Sequence, residues 1–124
     1  MNAIASLFHI TITIPLFEYG IHYALHMINN KTHKEHHIEN HNKKNKIEKY
    51  ILWVIPPLLY SELTVLRVLS LGLFQYWLVH TLIHFYPKYL PKMIVNHHIT
   101  HHNNPNCNYA VSNPYIDIIF RTKT

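Results

Sequence analysis

The sequence predicts an all-α integral membrane protein. Hydrophobic residues make up 48% of the chain and charged residues only 14%. The hydrophobic residues form two long blocks, as in membrane proteins. The lysines concentrate between the blocks, in residues 31–49, as in cytoplasmic segments that flank membrane spans. At 124 residues, the chain is expected to form a single domain, 1–124.

The composition also argues against several classes of function. The net charge of +5 would suit nucleic acid, but lysines placed between apolar blocks fit a membrane surface better, so no nucleic-acid partner is expected. Cys107 is the only cysteine, which excludes a disulfide framework and a CxxC zinc finger. The two glycines, Gly20 and Gly72, cannot form a phosphate-binding loop.

Residues 1–28 form the first hydrophobic block and are predicted to be a membrane helix, since about twenty residues suffice to cross a bilayer. A cleaved signal peptide is not expected, because the stretch lacks a basic amino end and its last turns contain His22 and His26. Pro15 is expected to kink the helix. His9 lies well inside the apolar part and is interpreted as a buried, hydrogen-bonded histidine rather than a ligand.

Residues 29–49 are predicted to be a cytosolic segment rich in histidine and lysine. A short helix is expected around His33 to Asn40, with Thr32 as its cap. His41 belongs to no repeated pattern and is interpreted as a solvated histidine.

Residues 50–86 form the second block, which is too long for one straight span and short for two. They are predicted to form a helical hairpin that turns near Ser61 to Thr64. The Pro56–Pro57 pair is expected to interrupt the first arm. Glu62 and Arg67 are costly in hydrocarbon, so they are expected to lie at the turn or to face each other. Both a full crossing and a partial insertion of the hairpin remain open.

Residues 87–124 contain the last histidine cluster and a tail. The stretch from Pro87 to Pro91 should break the helix, and residues 103–113 are expected to form a polar loop. The remaining tail is too short to span a membrane. It is expected to lie at the interface or to pack back against the site.

The histidines follow a repeated order along the chain. Pairs with the spacing HxxxH alternate with clusters of the spacing HxxHH, and this alternation occurs twice. Residues three and four apart share one face of a helix, so each group can direct its imidazoles to one place. Together they could bind two metal ions, and imidazole suits iron, zinc, copper and nickel. The predicted ligands are His22, His26, His33, His36, His37, His80, His84, His98, His101 and His102.

The predicted hairpin brings these groups to one surface. A hairpin enters and leaves the membrane on the same side, so His80 and His84 return to the face that holds His33 and its neighbours. The lysine-rich segment assigns this face to the cytoplasm, in a membrane of the endoplasmic reticulum type or the cell membrane.

Five stretches resemble the fatty acid hydroxylase superfamily, which includes sterol desaturases and C-4 methyl oxidases. They are HYALH, HKEHH, HTLIH, HHITHH and NYAVSNPYIDIIFRT, and the resemblance covers about Glu18 to Thr122. Members of the family are membrane-embedded and hold a dinuclear iron centre in histidine clusters of this order. The chain departs from the family at Tyr23, where many members have arginine, at Ile116, where they have tryptophan, and at Arg121, where they have glycine.

The resemblance implies two iron ions, with zinc as an alternative in purified protein. They would use dioxygen to hydroxylate or desaturate a C–H bond of a fatty acyl chain or sterol. It also implies an electron donor, cytochrome b5 or a ferredoxin with its reductase. By the family pattern, one ion would be bound by His22, His33, His36, His98 and His101. The other would be bound by His26, His37, His80, His84 and His102.

Three further residues are candidates for supporting roles. Glu18 lies four residues before His22 and is expected to hold the His22 ring nitrogen that does not bind metal; the alternative is a carboxylate at the membrane interface. His97 adjoins a predicted ligand. Asp117 is expected to orient a ligand histidine from the tail, with a helix cap or a surface charge as the alternative.

Two other functions remain open. A non-catalytic membrane protein that binds or transports metal would also be rich in histidine, although such tracts are usually irregular repeats within one loop. A transporter should also place ionisable residues along a path through the membrane, where only His9, Glu62 and Arg67 are candidates. The remaining alternative is a hydroxylase homologue that keeps its metals without turnover.

Overall fold

The computed structural model describes residues 3–28, 31–38, 48–60 and 62–124, and these contain helices and turns without a strand. The all-helical prediction is therefore confirmed. The helical elements are α1 (Ala3–Phe8), a π-helical turn (His9–Thr13), α2 (Ile14–Met27), α3 (Lys31–Ile38), α4 (Glu48–Leu59), α5 (Thr64–Phe85), a 3-10 turn (Pro87–Tyr89), α6 (Lys92–Asn103) and α7 (Tyr115–Ile119).

The first hydrophobic block is helical from α1 through the π-helical turn into α2, since Phe8 and Thr13 both have right-handed helical dihedrals. The π-helical turn lies directly before Pro15, where a kink was predicted. Proline has no N–H, so the Thr11 carbonyl four residues earlier loses its intrahelical partner. The Asn113 side chain donates a hydrogen bond to this carbonyl at 2.9 Å. The interrupted helix is thereby tied to the carboxyl-terminal segment.

Helices α4 and α5 form a hairpin, because α4 packs against α5 and only four residues separate Leu59 from Thr64. Its first arm differs from the prediction, since the Pro56–Pro57 pair lies inside α4. The fixed φ of proline is compatible with a helix. Pro56 and Pro57 lie near the end of α4, so their missing N–H groups remove hydrogen bonds only from its last turns. Arg67 and Glu62 form an exposed ion pair at 3.8 Å beside the turn, as expected.

Large apolar side chains remain exposed along this hairpin. Trp53 is 81% exposed and Val65 is 77% exposed. Among the described helices, α5 is long and apolar enough to cross a membrane, at 22 residues. An apolar surface of this kind indicates contact with lipid or with another protein.

The carboxyl-terminal segment packs back against the helices that carry the histidines. This was one of the two positions predicted for the tail. Residues 104–113 contain no helix, so the predicted loop is confirmed, but its stretch from Cys107 to Val111 is buried. Val111 packs with Ile83 of α5 and Val95 of α6. The interior therefore consists partly of this segment, which packs between residues of α5 and α6.

Arg121, where the family that the chain resembles has glycine, lies directly after the end of α7. Arg121 has a φ of 57°, its N–H donates to Ile118 O, and the Thr122 N–H donates to Asp117 O at 2.8 Å. This is the Schellman arrangement, in which glycine is preferred after the helix because the conformation is left-handed. Arginine is accommodated here at a cost of about 1 kcal/mol.

Candidate metal centre

Helix α3 carries the second histidine group. It begins at Lys31, so Thr32 lies inside the helix instead of capping it. The predicted end of the helix at Asn40 lies outside the described residues, as do His41 and Ser61.

The ten predicted histidines lie in two groups of five, and within each group the ligand nitrogens are all within 4.8 Å of one another. The first cluster consists of His22, His26, His33, His37 and His101. The second cluster consists of His36, His80, His84, His98 and His102. Most of these side chains are buried, and the half-buried ones are His26, His37 and His84.

The division between the two clusters differs from the one that the family pattern implied. Each HxxxH pair stays together, and each HxxHH group gives its outer two histidines to one cluster and its middle one to the other. Residues four apart differ by only about 40° around a helix, whereas adjacent residues differ by about 100°. His36 and His37 therefore point to different clusters, as do His101 and His102.

In the first cluster the Nε2 atoms converge on one point. His33 Nε2 lies 2.9 Å from His26 Nε2, 3.1 Å from His22 Nε2 and 3.2 Å from His37 Nε2. His26 Nε2 and His101 Nε2 are 3.1 Å apart. Neighbouring ligands at about 2.1 Å from one metal ion and at right angles would be about 3.0 Å apart. The spacing therefore fits a single ion.

The second cluster repeats this geometry. His98 Nε2 lies 3.0 Å from His102 Nε2 and 3.2 Å from His84 Nε2. His80 Nε2 lies 3.2 Å from His84 Nε2 and 3.3 Å from His36 Nε2. The clusters are neighbours, since the rings of His37 and His102 have centroids 4.5 Å apart. An all-nitrogen ligand set favours a transition metal over calcium or magnesium, which prefer oxygen.

Two backbone carbonyls fix two of the five imidazole rings of the first cluster. His22 Nδ1 donates to Tyr109 O at 2.5 Å, and His101 Nδ1 donates to Cys107 O at 2.6 Å. A carbonyl only accepts, so the proton lies on Nδ1 and the Nε2 lone pair faces the cluster. This is the tautomer that a metal requires.

Five cluster histidines that lie outside the hydrophobic blocks have pKa values below the usual 6.5. Burial, together with neighbouring imidazoles, lowers the pKa of His33 to about 3 and that of His37 to about 2. Burial lowers the pKa of His101 to about 4. The pKa values of His98 and His102 also lie well below 6.5, mainly through burial. At neutral pH these side chains can therefore bind metal without first releasing a proton.

Two tyrosine rings line the clusters and were not predicted. Tyr109 lies with its ring centroid 5.4 Å from that of His26 and 5.5 Å from that of His101. Tyr76 stacks on His80 at 5.3 Å. The four-residue spacing from Tyr76 to His80 could have indicated the second contact, because both lie on one helix face. Tyr109 belongs to the stretch NYAVSNPYIDIIFRT, which resembles the family, but its contact with the histidines was not predicted.

Glu18 does not hold the His22 ring, contrary to the prediction. Its Oε1 accepts hydrogen bonds from Val111 N at 2.6 Å and from Ser112 N at 2.8 Å. The His22 Nδ1 position is taken by the Tyr109 carbonyl. Glu18 is buried, so it is not an interfacial carboxylate exposed to water.

Asp117 pairs with His97, which lies outside both clusters. Asp117 Oδ2 is 2.8 Å from His97 Nε2, and neither side chain is more than 4% exposed. The surface-charge alternative for Asp117 is therefore wrong. Burial raises the pKa of Asp117, but hydrogen bonds from His97, Thr122 and Ala110 together outweigh it and hold the pKa below its usual value. His9 also lies outside the clusters and is hydrogen-bonded as predicted, with Nδ1 at 3.3 Å from Thr13 Oγ1, but it is half-buried instead of buried.

Comparison with known proteins agrees with this geometry. The fatty acid hydroxylase family model matches residues 7–122. Neither the curated proteins nor the solved structures gave a significant match. The family match covers most of the chain and includes every histidine of the two clusters. The chain belongs to the fatty acid hydroxylase family.

Proposed function

We propose that the protein is a membrane-bound di-iron oxygenase that hydroxylates or desaturates a C–H bond in a fatty acyl chain or a sterol. The observation that carries the proposal is the pair of adjacent five-imidazole clusters in a chain of the fatty acid hydroxylase family. The ten histidines are proposed as the metal ligands. Iron is proposed as the functional metal, and zinc as a substitute in purified protein.

The residues around the clusters suit this chemistry. When bound, two iron ions supply the activation of dioxygen. The histidines hold their Nε2 lone pairs towards the ions, and the carbonyls of Tyr109 and Cys107 fix two of the rings. The carboxyl-terminal segment supplies these carbonyls, and the Tyr109 and Tyr76 rings pack against cluster histidines.

An electron donor is also required. Dioxygen accepts four electrons, and hydroxylation of one C–H bond provides two, so two must come from elsewhere. The sequence contains no flavin or nicotinamide motif. Cytochrome b5, or a ferredoxin with its reductase, is proposed as the partner by analogy with the family.

The membrane arrangement is proposed from the apolar blocks. Segments 1–28 and 50–86 would lie in the membrane, whereas 29–49 and 87–124 would place the clusters at its cytoplasmic face. The exposed apolar residues of the α4–α5 hairpin support this arrangement.

Cysteine labelling tests the arrangement. Single cysteines at the exposed positions Lys34 and Asn103, in a Cys107→Ser background, should react with the same impermeant reagent from the cytoplasmic side. Both helices that carry them contribute histidines to both clusters. A cysteine at Glu62, in the turn of the hairpin, is the control and should not react from that side. Reaction of Lys34→Cys and Asn103→Cys from opposite sides would exclude the arrangement.

Lipid analysis tests the function. Cells that express the wild-type chain with a matched reductase, under ¹⁸O₂, should accumulate an oxidised acyl or sterol lipid that vector controls lack. Hydroxylation would place the label in the lipid, whereas desaturation would not. If no oxidised lipid forms although the protein binds metal, the chain is a non-catalytic metal-binding or transport protein, or a hydroxylase homologue without turnover.

A further inference from the structure

Asn108 has a left-handed backbone conformation, with a φ of 57°. Such a φ is disfavoured for residues that have a side chain, and asparagine is one of the few that adopt it readily. Asn108 is also only 1% exposed. Its conformation is therefore held by contacts within the protein.

The hydrogen bonds of Asn108 connect it to the tail after α7 and to helix α6. Its backbone N–H donates to Thr122 O at 2.8 Å, and its Oδ1 accepts from Thr124 N at 3.0 Å. Its Nδ2 donates to Thr124 Oγ1 at 3.4 Å and to His97 O at 3.5 Å. Because these bonds go to two different segments, they oppose rotation of the backbone at Asn108.

Asn108 lies between the two residues whose carbonyls hold imidazoles of the first cluster. Cys107 O accepts from His101 Nδ1 at 2.6 Å, and Tyr109 O accepts from His22 Nδ1 at 2.5 Å. Peptide groups are planar, so the φ and ψ of Asn108 set the direction of the peptide group before it relative to the one after it. Rotation at Asn108 would therefore move at least one of the two carbonyls away from its imidazole.

We propose that Asn108 is a positioning residue for the metal ligands His22 and His101, acting through its left-handed backbone conformation. This conformation directs the Cys107 and Tyr109 carbonyls at the two Nδ1–H groups, so that both Nε2 atoms face the metal. The asparagine side chain contributes by stabilising the conformation. The inference rests on the metal binding proposed above.

A comparison of Asn108→Gly with Asn108→Ala isolates the contribution of the backbone. Both substitutions remove the side-chain hydrogen bonds of Asn108. Glycine adopts a φ of 57° without steric cost, whereas alanine does not. The glycine variant should therefore bind metal nearly as well as wild type, and the alanine variant should not.

Cobalt(II) titration of metal-free protein, followed by visible absorption, measures metal binding. His26→Ala identifies the binding phase of the first cluster, because it removes one of the half-buried histidines of that cluster. We expect Asn108→Ala to weaken this phase by about ten- to a hundredfold. Asn108→Gly should stay close to wild type.

A spectroscopic measurement separates positioning from general stability. In zinc-loaded protein with ¹⁵N-labelled histidine rings, the Nδ1–H groups of His22 and His101 should exchange slowly with water, because both are buried and hydrogen-bonded. Both signals should persist in Asn108→Gly and should exchange rapidly in Asn108→Ala. A residue that only stabilised the fold would lower the unfolding temperature without changing these two signals.

Arg121 provides the matched control, because it has the same φ of 57° and is exposed after α7. Glycine should stabilise the left-handed conformation there as well, so Arg121→Gly should unfold at a higher temperature than Arg121→Ala. The two Arg121 variants should nevertheless bind cobalt equally. A difference in cobalt binding as large as that between the Asn108 variants would indicate an effect of stability alone and would overturn the inference.

Three further results would contradict the positioning role. They are a glycine variant that binds cobalt as weakly as the alanine variant, an alanine variant that keeps wild-type binding and both ring signals, and a wild type that binds no cobalt. If Asn108→Ala does not fold, the glycine variant decides: wild-type cobalt binding and both ring signals would support the inference, and the loss of either would contradict it. Failure of the proposed function is distinct: wild type and Asn108→Gly would then bind cobalt strongly and Asn108→Ala weakly, yet no oxidised lipid would form.

Discussion

His102→Ala should abolish lipid oxidation and remove about one of the two bound ions. His102 is buried, its Nε2 lies 3.0 Å from that of His98, and its ring also contacts His37 of the first cluster. Its loss opens one coordination position and leaves a cavity between the clusters. The remaining second-cluster histidines are fixed on three helices and cannot move to replace it. Oxidised-lipid yield and metal content of the purified variant measure the effect.

His9→Ala is the matched control for this substitution. It removes an imidazole that is bonded to Thr13 and lies outside both clusters, so activity and metal content should stay at the wild-type level. Added imidazole should partly restore metal binding to His102→Ala if the fold is intact. Equal metal content in wild type, His9→Ala and His102→Ala would indicate loose binding by a histidine-rich chain and would contradict a fixed dimetal site.

Protein expressed in iron-supplemented medium should contain close to two metal ions per chain and should lose much of its stability when they are removed. Burial lowers the pKa of cluster histidines such as His33, His37 and His101 below neutral pH, and without metal the converging Nε2 atoms of each cluster face one another. A ligand that binds only the folded state stabilises it by about 4 kcal/mol at a thousand times its Kd. Metal analysis and thermal unfolding in detergent, before and after chelation, measure both quantities.

Readdition of iron should restore the original unfolding temperature, which separates metal removal from irreversible damage. His26→Ala and His84→Ala should each bind about one ion and show an intermediate stability. A wild-type content of one ion or none would exclude the dinuclear site. An unfolding temperature that chelation leaves unchanged would mean that the clusters are formed without metal.

The sequence was sufficient to find the ten histidines and the helices that carry them. Both depend on local spacing, since the three- and four-residue intervals of HxxxH and HxxHH have meaning only on a helix. The hairpin and the Glu62–Arg67 pair were predictable for similar reasons, because the cost of charge in hydrocarbon confines such residues to a turn. The Pro56–Pro57 pair was misjudged, since α4 continues through both prolines to Leu59.

The tertiary structure alone decided which cluster each histidine joins and what holds the rings. Adjacent histidines such as His36 and His37 diverge by about 100°, so their assignment depends on which helices lie on either side of α3. His22 is held by Tyr109, 87 residues away in the chain. That partner is a backbone carbonyl, which every residue possesses, so no side-chain pattern could reveal it. Glu18 and Asp117 were recognisable as candidates, but their partners are also backbone groups, which only the folded chain brings within reach.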